Sequence, residues 1–281
     1  MRTDLAKESR DRFPDCPGVA EETERFDGIT VVRIDVTEER AARLLDKPIG
    51  SYVTIHAEPD LFADADGRKT ISMRLSRELE RVTGKIRNAL VVGLGNRYVT
   101  ADALGTKTAE YVLVTRHVHL HMKELLPTDT PVTTSFCANV FGVTGLETAE
   151  VVSAVTEKIR PGLVILVDSL AASSIDHIGC TIQFNDSGIA PGAGVGNFRS
   201  MLTKESLHVP VIAIGVPTVV SANTIVSAFG GQTVSDPAAR NFIVTPKDID
   251  ALIRDASRVL ADAINRTVFG DSYTELEKIL R

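Results

Sequence analysis

The sequence predicts an α/β fold of three layers, built around a mainly parallel β-sheet. The prediction depends first on three short apolar runs, at residues 89–94 (ALVVGL), 163–167 (LVILV) and 211–216 (VIAIGV). Continuous rather than alternating hydrophobicity is typical of strands that are buried on both faces, as the strands of parallel sheets are. Helical patterns lie between several of these runs, and parallel neighbours require crossover connections that are usually helices.

The N-terminal part of the chain, residues 1–84, is predicted to hold an irregular arm followed by a small β-containing unit. The opening residues are polar, and prolines and a glycine interrupt any periodicity. Residues 29–36 (ITVVRIDV) and 51–56 (SYVTIH) are rich in β-branched side chains, which favour strands, and a polar helical stretch (TEERAARLL) separates them. We expect the chain to divide here, with the α/β core in residues 85–281.

The core is predicted to contain further strands and two helices with recognisable N-termini. Weaker strand patterns fit residues 111–115 and 132–140. Thr144 and Glu147 have the spacing of a capping box, which predicts a helix that continues through ETAEVVSAVTEKI. Near the C-terminus, the candidate N-cap Thr245 precedes a proline and a long series of apolar residues at helical spacing. A C-terminal helix is therefore expected to dock on the core.

Composition and charge exclude several classes of protein. The 281 residues carry a formal net charge of -6, whereas binding nucleic acid through its phosphates needs a strongly basic face. The N-terminus lacks the apolar segment of a secretory signal, and no apolar run is long enough to span a bilayer. The three cysteines are far apart, so neither disulfides nor a zinc site is predicted. We expect a cytoplasmic protein that contacts neither membrane nor nucleic acid directly.

Two aspartates follow apolar runs at the places where ligands bind in parallel sheets. Asp102 comes after ALVVGL and a short turn, in the first turn of the next predicted helix, where the helix dipole favours a carboxylate. Asp168 directly follows LVILV, so apolar surroundings should resist its ionisation. If the strands are near neighbours, one carboxyl group would hold a proton and the other could activate a water. The spacing alone also fits a helix-terminus residue and a hydrogen-bonded strand-end residue.

A glycine-rich loop, NDSGIAPGAGVGN, occupies residues 185–197 after the apparent strand CTIQF. Its glycines could cradle a phosphate or let another backbone pass closely. The full motif G-x-x-x-x-G-K-S/T is absent, and the GLGN turn lacks the third glycine of a dinucleotide fingerprint, so no cofactor is predicted. A non-enzymatic nucleotide-binding module remains an alternative that depends on this loop alone. The candidate substrate-binding residues are Asp186, Ser187, Gly188, Gly192, Gly194 and Gly196.

Three histidines alternate in the segment RHVHLH. On a strand, His117, His119 and His121 would point to one face, which is a geometry that could bind zinc. A metal-dependent peptidase is therefore one alternative. The other is a solvated or interface strand, since no further cluster of ligands is marked nearby, and no metal is assigned to the site.

Several long motifs resemble the germination proteases of spore-forming bacteria. They are RTDLA-x-E at residues 2–8, VVGLGN-x-x-V-T-x-DALG at 91–105, TRH at 115–117, and a block at 164–222 that contains DSLAA, NDSGIAPGAGVGN and VPVIAIGVPTVV. The resemblance reappears at NFIVTPKDID, before the C-terminal helix. A more distant resemblance, to hydrogenase maturation endopeptidases, implies a phosphorylase/hydrolase-like α/β fold.

The first resemblance implies an aspartic-type endopeptidase that starts the degradation of small acid-soluble spore proteins in the forespore or spore core. The family's two essential aspartates match Asp102 and Asp168. The DNA contact belongs to the substrate, so the enzyme itself would bind no nucleic acid. One aspartate would act as general base towards water while the other, protonated, polarises the scissile carbonyl.

The family also implies a homotetrameric precursor that removes its own N-terminal peptide, where an acidic residue precedes an apolar one. In this chain that bond joins Asp4 to Leu5. Two differences from the family pattern stand out. The precursor segment would be four residues long, and the region between residues 220 and 241 is shorter than the family's polar insert.

Overall fold

The computed structural model describes residues 3–192, 200–231 and 242–280. Within these residues one sheet contains all of the strands. They are β1 (Val19–Phe26), β2 (Ile29–Val36), β3 (Gly50–Ala57), β4 (Asn88–Gly93), β5 (Val132–Cys137), β6 (Leu163–Ala172), β7 (Thr181–Asn185), β8 (Val211–Ser221) and β9 (Ile243–Val244). The strand order is β1-β2-β3-β7-β8-β6-β4-β5, and β9 pairs with the far end of β8.

Helices cover both faces of this sheet and give the three layers that the sequence predicts. One face holds a core in which Leu75, Leu104 and Leu260 are buried, and the other holds a core with Val152 and Leu207. The helices are α1 (Ala6–Arg12), α2 (Glu39–Leu45), α3 (Pro59–Ala63), α4 (Ala65–Thr83), α5 (Leu104–Tyr111), α6 (Arg116–His121), α7 (Phe141–Thr144), α8 (Thr148–Ile159), α9 (Lys204–Leu207), α10 (Ala222–Ala228), α11 (Ile249–Phe269) and α12 (Tyr273–Leu280).

The sheet is parallel in one half and antiparallel in the other. The three apolar runs form β4, β6 and β8, which are parallel and, with β5, make up the parallel half. Strands β1, β2, β3 and β7 are antiparallel to their neighbours in the sheet. The turn between β1 and β2 is too short for a parallel crossover. The α/β class is confirmed, and the sheet as a whole is mixed.

The irregular N-terminal arm is a wrong prediction. Helix α1 and strand β1 occupy that part of the chain, and β1–β3 extend the central sheet through the pairing of β3 with β7. The local sequence concealed α1 because its partners are distant: Leu5 and Ala6 are fully buried, and the Ala6 N–H donates to Gln183. Strand β1 pairs with the adjacent β2, but its mostly charged and exposed residues carry no apolar strand pattern. The division of the chain after residue 84 remains a prediction.

Two further local predictions are corrected. Residues 111–115 form no strand, because Tyr111 ends α5 and the Leu113 N–H is taken by the Asn265 side chain of α11. Thr144 ends the one-turn helix α7, whereas the capping box belongs to Glu147 and Glu150 at the start of α8.

The C-terminal helix is present but begins later than the sequence suggests. Helix α11 starts at Ile249 with Asp248 as its N-cap, and Thr245 donates instead to the Thr218 carbonyl of β8. The three cysteines are free thiols. No helix in the described parts of the chain combines the length and the apolar character needed to cross a bilayer.

Candidate active site

Asp168 lies inside β6 rather than at its end. The strand continues to Ala172, with a break in register between Leu170 and Ala171. Only 4% of Asp168 is exposed, and its Oδ1 accepts a hydrogen bond from the Ser169 N–H at 2.9 Å. Burial, followed by the negative charge of Asp102, holds the pKa of the Asp168 carboxyl well above its usual range. The surroundings of Asp168 therefore favour the protonated form of its carboxyl group.

Asp102 is held by the turn that follows β4. Gly95 has a φ of +86°, and a Cβ on it would lie 2.1 Å from the Asp102 carbonyl oxygen, so this position requires glycine. The turn brings the Asn96 N–H within 2.8 Å of Asp102 Oδ2. Asp102 itself closes a 3₁₀ turn, Thr100–Asp102, immediately before α5. Burial raises the pKa of its carboxyl, and the Asn96 hydrogen bond opposes that rise.

The two aspartates come together because β4 and β6 are parallel neighbours. The Leu94 N–H beyond β4 donates to the Val167 carbonyl of β6 at 2.8 Å. Both carboxyl groups line one cavity of ≈ 260 Å³. Since two close carboxylates repel each other, the pair binds a shared proton more strongly than either group would alone. The geometry therefore agrees with the prediction that Asp102 and Asp168 lie near each other at one edge of the sheet.

The N-terminal segment of the chain itself lies in this cleft. The Asp4 N–H donates to the Ala171 carbonyl at 3.0 Å, and the Asp4 carboxylate accepts from the Ala171 N–H at 2.8 Å. Asp4 also lines the cavity of the two aspartates. The next side chain, Leu5, is fully buried in an apolar cluster with Leu170, Ala172 and Val220. An acidic and an apolar residue thus occupy adjoining positions beside the carboxyl pair.

A third side chain of the segment, Glu8, is anchored by the residues that follow β6. Its carboxylate accepts from the Ser173 N–H and hydroxyl, each at 2.8 Å, and from the Ser174 N–H at 2.9 Å. The Thr3 hydroxyl donates to the same carboxylate, and His177 Nε2 lies 3.8 Å from it. Glu8 is 6% exposed, so these donors compensate for its removal from water.

The glycine-rich loop contributes to the walls of the cleft. Gly192 lines the cavity of the two aspartates, and Ser187 and Gly188 line an adjoining cavity of ≈ 390 Å³. Asp186 points to β3, where its carboxylate accepts from the Ser51 N–H at 2.8 Å. Gly194 and Gly196 lie outside the described residues. A role of this loop in substrate binding stays a prediction.

The three histidines lie on helix α6, not on a strand. Successive residues of a helix are rotated by about 100°, so alternate residues do not share a face. His117 and His121 are exposed, whereas His119 is partly buried. The part of the chain that the structure describes contains no group of three His, Cys, Asp or Glu side chains arranged to hold a metal ion. The strand geometry behind the zinc alternative is therefore wrong.

Gln183, Ser173 and Ser174 belong to the site but are not marked by any motif of the sequence. Gln183 on β7 makes two hydrogen bonds to the main chain of the N-terminal segment, through Asp4 and Ala6. A polar residue in the otherwise apolar run CTIQF was the available signal, because a buried amide needs a partner. The two serines end the segment SLAASS that follows Asp168, and small polar residues after a strand give no specific signal of a binding role.

Fold and site together define an α/β protein that holds its own N-terminal segment beside two carboxyl groups, one buried and one half-buried. A family model described as germination protease matches residues 1–229 of this chain. The chain belongs to the germination protease family, and it is accordingly a protease with a protein substrate.

Similar proteins span almost the whole chain. Germination proteases of Caldanaerobacter subterraneus subsp. tengcongensis and of Clostridium perfringens (strain SM101 / Type A) are both 36% identical to it. The alignments cover 94% of this chain and 93% and 94% of those proteins. Among solved structures, the NiFe hydrogenase maturation protease HycI from Thermococcus kodakarensis matches with a TM-score of 0.40 and 21% identity, over 66% of this chain and 96% of that one.

Proposed function

We propose that this protein is an aspartic-type endopeptidase that first cleaves its own chain between Asp4 and Leu5 and then starts the degradation of small acid-soluble spore proteins. One observation carries the proposal: the Asp4–Leu5 segment lies in the same cleft as Asp102 and Asp168, held by main-chain and side-chain hydrogen bonds. A segment held in this way occupies the place that a substrate would take before hydrolysis.

The two aspartates divide the chemistry according to their surroundings. Asp168 is more deeply buried than Asp102 and its pKa is raised further, so it keeps its proton and acts as the general acid. Asp102 is only half-buried and accepts a backbone hydrogen bond, so it is the base that takes a proton from the attacking water. The hydroxide oxygen adds to the Asp4 carbonyl carbon and Asp168 protonates the carbonyl oxygen. Collapse of the tetrahedral intermediate breaks the C–N bond, and the Leu5 nitrogen leaves as an amine with a proton from the pair.

Substrate preference follows from the three anchored side chains. The site would accept an acidic residue before the cleaved bond, as Asp4 is bound by the Ala171 N–H, and an apolar residue after it, as Leu5 is buried. Three residues beyond Leu5 a second acidic residue would bind where Glu8 is held by Ser173 and Ser174. These preferences support spore proteins that carry the same short pattern as substrates.

Regulation is part of the proposal. While residues 3–8 occupy the cleft, an external substrate cannot enter it, so the uncleaved chain is a zymogen. We also propose the homotetramer and the forespore or spore core that the family resemblance implies. Light scattering of the purified chain at several concentrations tests the tetramer, and a constant monomer mass would contradict it.

The decisive experiment follows the N-terminus over time. Purified full-length protein is incubated over a range of pH, and intact mass with N-terminal sequencing identifies the new terminus. Cleavage before Leu5 is the expected result, and Asp102→Asn and Asp168→Asn variants should fold but stay intact. Cleavage at the same rate in either variant would contradict the aspartate mechanism. Repeating the wild-type reaction with an exhaustive chelator separates it from a metal-dependent peptidase.

A further inference from the structure

We infer that Gln183 is a catalytic residue that polarises the carbonyl group of the bond to be cleaved; this inference rests on the proposed function. Gln183 Nε2 donates to the Asp4 carbonyl oxygen at 2.8 Å. If hydrolysis occurs between Asp4 and Leu5, that oxygen is the one that becomes negatively charged. The Gln183 side chain is 3% exposed, so the hydrogen bond forms away from bulk water.

The same amide fixes the segment on the other side of the Asp4–Leu5 bond. Gln183 Oε1 accepts from the Ala6 N–H at 2.6 Å. A single side-chain amide thus binds a carbonyl before the bond and an N–H after it, much as a neighbouring strand would. This two-point contact fixes the orientation of the peptide unit and leaves the Nε2 donor aimed at the carbonyl oxygen.

The sheet register explains why Gln183 and Asp168 face the same peptide from opposite sides. Gly215 of β8 pairs with Asp168 of β6 and also with Gln183 of β7. Residues that are directly opposite on adjacent strands point to the same face, so both side chains rise from that face with one strand between them, about 10 Å apart at Cα. Gly215 lacks a side chain, and a Cβ on it would lie 2.3 Å from the Asp168 carbonyl oxygen.

The N-terminal segment bridges β6 and β7, the two strands on either side of β8. On one side it bonds to Ala171 of β6, and on the other it bonds to Gln183 of β7. Lys47 binds the neighbouring Thr3 carbonyl at 2.7 Å, which holds the preceding residue in line. The scissile carbonyl would therefore have the carboxyl pair on one flank and the Gln183 amide on the other.

A hydrogen-bond donor in this position stabilises the transition state, because negative charge develops on the carbonyl oxygen there. As water adds to the Asp4 carbonyl carbon, the C=O double bond opens and electron density moves to the oxygen before it is protonated. A donor already in place needs no reorganisation, and removing a side-chain donor of this type from a protease typically lowers kcat about 100- to 1,000-fold. The loss of one neutral anchoring hydrogen bond would cost about tenfold, and Gln183 makes two such bonds, so the pH dependence of a variant that keeps the Ala6 contact is needed to separate the two roles.

Two near-isosteric variants separate these roles. Gln183→Glu keeps an oxygen for the Ala6 N–H but removes the donor when it is ionised, and Gln183→Met removes both hydrogen bonds. Ser173→Ala is the matched docking control, because it removes one donor to Glu8 and leaves the carbonyl contact intact. Each full-length variant is assayed for the first-order rate of self-cleavage at several pH values, with its melting temperature as a check on folding.

We expect both Gln183 variants to be about 100- to 1,000-fold slower than wild type at pH 7. The Gln183→Glu rate, divided by the wild-type rate at each pH, should rise as pH falls through the glutamate pKa, since a protonated carboxyl group can donate to the carbonyl oxygen. Asp102, Asp168, Asp4 and Lys47 are present in every variant, so Gln183→Met, which adds no carboxyl group, is the control for their titration. Gln183→Met should show no such rescue.

Two results would distinguish failure of the inference about Gln183 from failure of the proposed self-cleavage. If wild type cleaves before Leu5 and Asp168→Asn does not, but the Gln183 variants lose no more than Ser173→Ala, the inference about Gln183 is overturned and the proposed function stands. If wild type never cleaves before Leu5, in any condition where it degrades a spore protein substrate, the substrate-like placement of the segment fails and this inference fails with it.

Discussion

Shortening Leu5 to alanine should release the N-terminal segment from the cleft. Leu5 is fully buried against Leu170, Ala172 and Val220, and it belongs to a segment that is short enough to open locally. A buried Leu→Ala substitution costs about 2–5 kcal/mol, and we take the lower value because a chain terminus can relax. About 2 kcal/mol corresponds to an open population about thirtyfold larger.

Hydrogen exchange measures that population directly. The Ala6 N–H is bonded to Gln183 in the closed state, so its exchange rate should rise about thirtyfold in Leu5→Ala. Leu44→Ala is the matched control, because Leu44 is 44% exposed and its truncation should change stability by less than about 0.5 kcal/mol. Self-cleavage should slow in proportion to the loss of the closed state. Equal exchange of the Ala6 N–H in Leu5→Ala and wild type would refute the docking energetics described above.

Three other substitutions test separate parts of the structure. Asp168→Asn should be more stable than wild type at neutral pH: the folded protein keeps this proton while the unfolded chain releases it, so wild-type stability falls as pH rises above about 3.9. Urea unfolding at pH 4 and pH 8 should show the difference growing with pH. Glu8→Gln should slow self-cleavage at least tenfold through loss of charge-assisted hydrogen bonds worth about 1.5–3 kcal/mol, and an unchanged rate would remove Glu8 from recognition. Glu78→Ala removes the buried partner that Arg33 and Arg74 share, at 2.6 and 3.0 Å, and leaves Arg33 with the more exposed Glu24 and Glu22. It should cost about 1.5–3 kcal/mol in thermal or urea unfolding, whereas a loss below about 1 kcal/mol would mean that these carboxylates and water replace the pair.

The elements that the sequence predicts well are those whose signal is local. Strands β4, β6 and β8 each contain a continuous apolar run, which indicates burial on two faces, and helix α11 has a long apolar face, which indicates burial on one. Asp102 and Asp168 follow from the same signal, because a carboxyl group after a buried run must lie at or near the sheet's carboxyl edge.

The elements that it predicts poorly depend on distant partners. Helix α1 is only seven residues long and is held by contacts with β7 and with the residues that follow β6, which the local sequence cannot reveal. The alternating histidines fitted a strand, but α6 is a six-residue helix, and a pattern so short does not discriminate between the two periods. Gln183 and Asp4 are 179 residues apart, so their contact is visible only in the folded chain.

The location of the bound segment on the same chain as the cleft has a consequence for competition. A segment tethered to its own site acts at an effective concentration that is typically of the order of millimolar. A free protein with an identical recognition sequence would have to reach a similar concentration to displace residues 3–8. Cutting the tether removes that advantage from the released peptide at once, while the part of the segment that continues into α1 keeps its covalent link. The order of events would then be set by covalent connection, with self-cleavage preceding attack on any other chain.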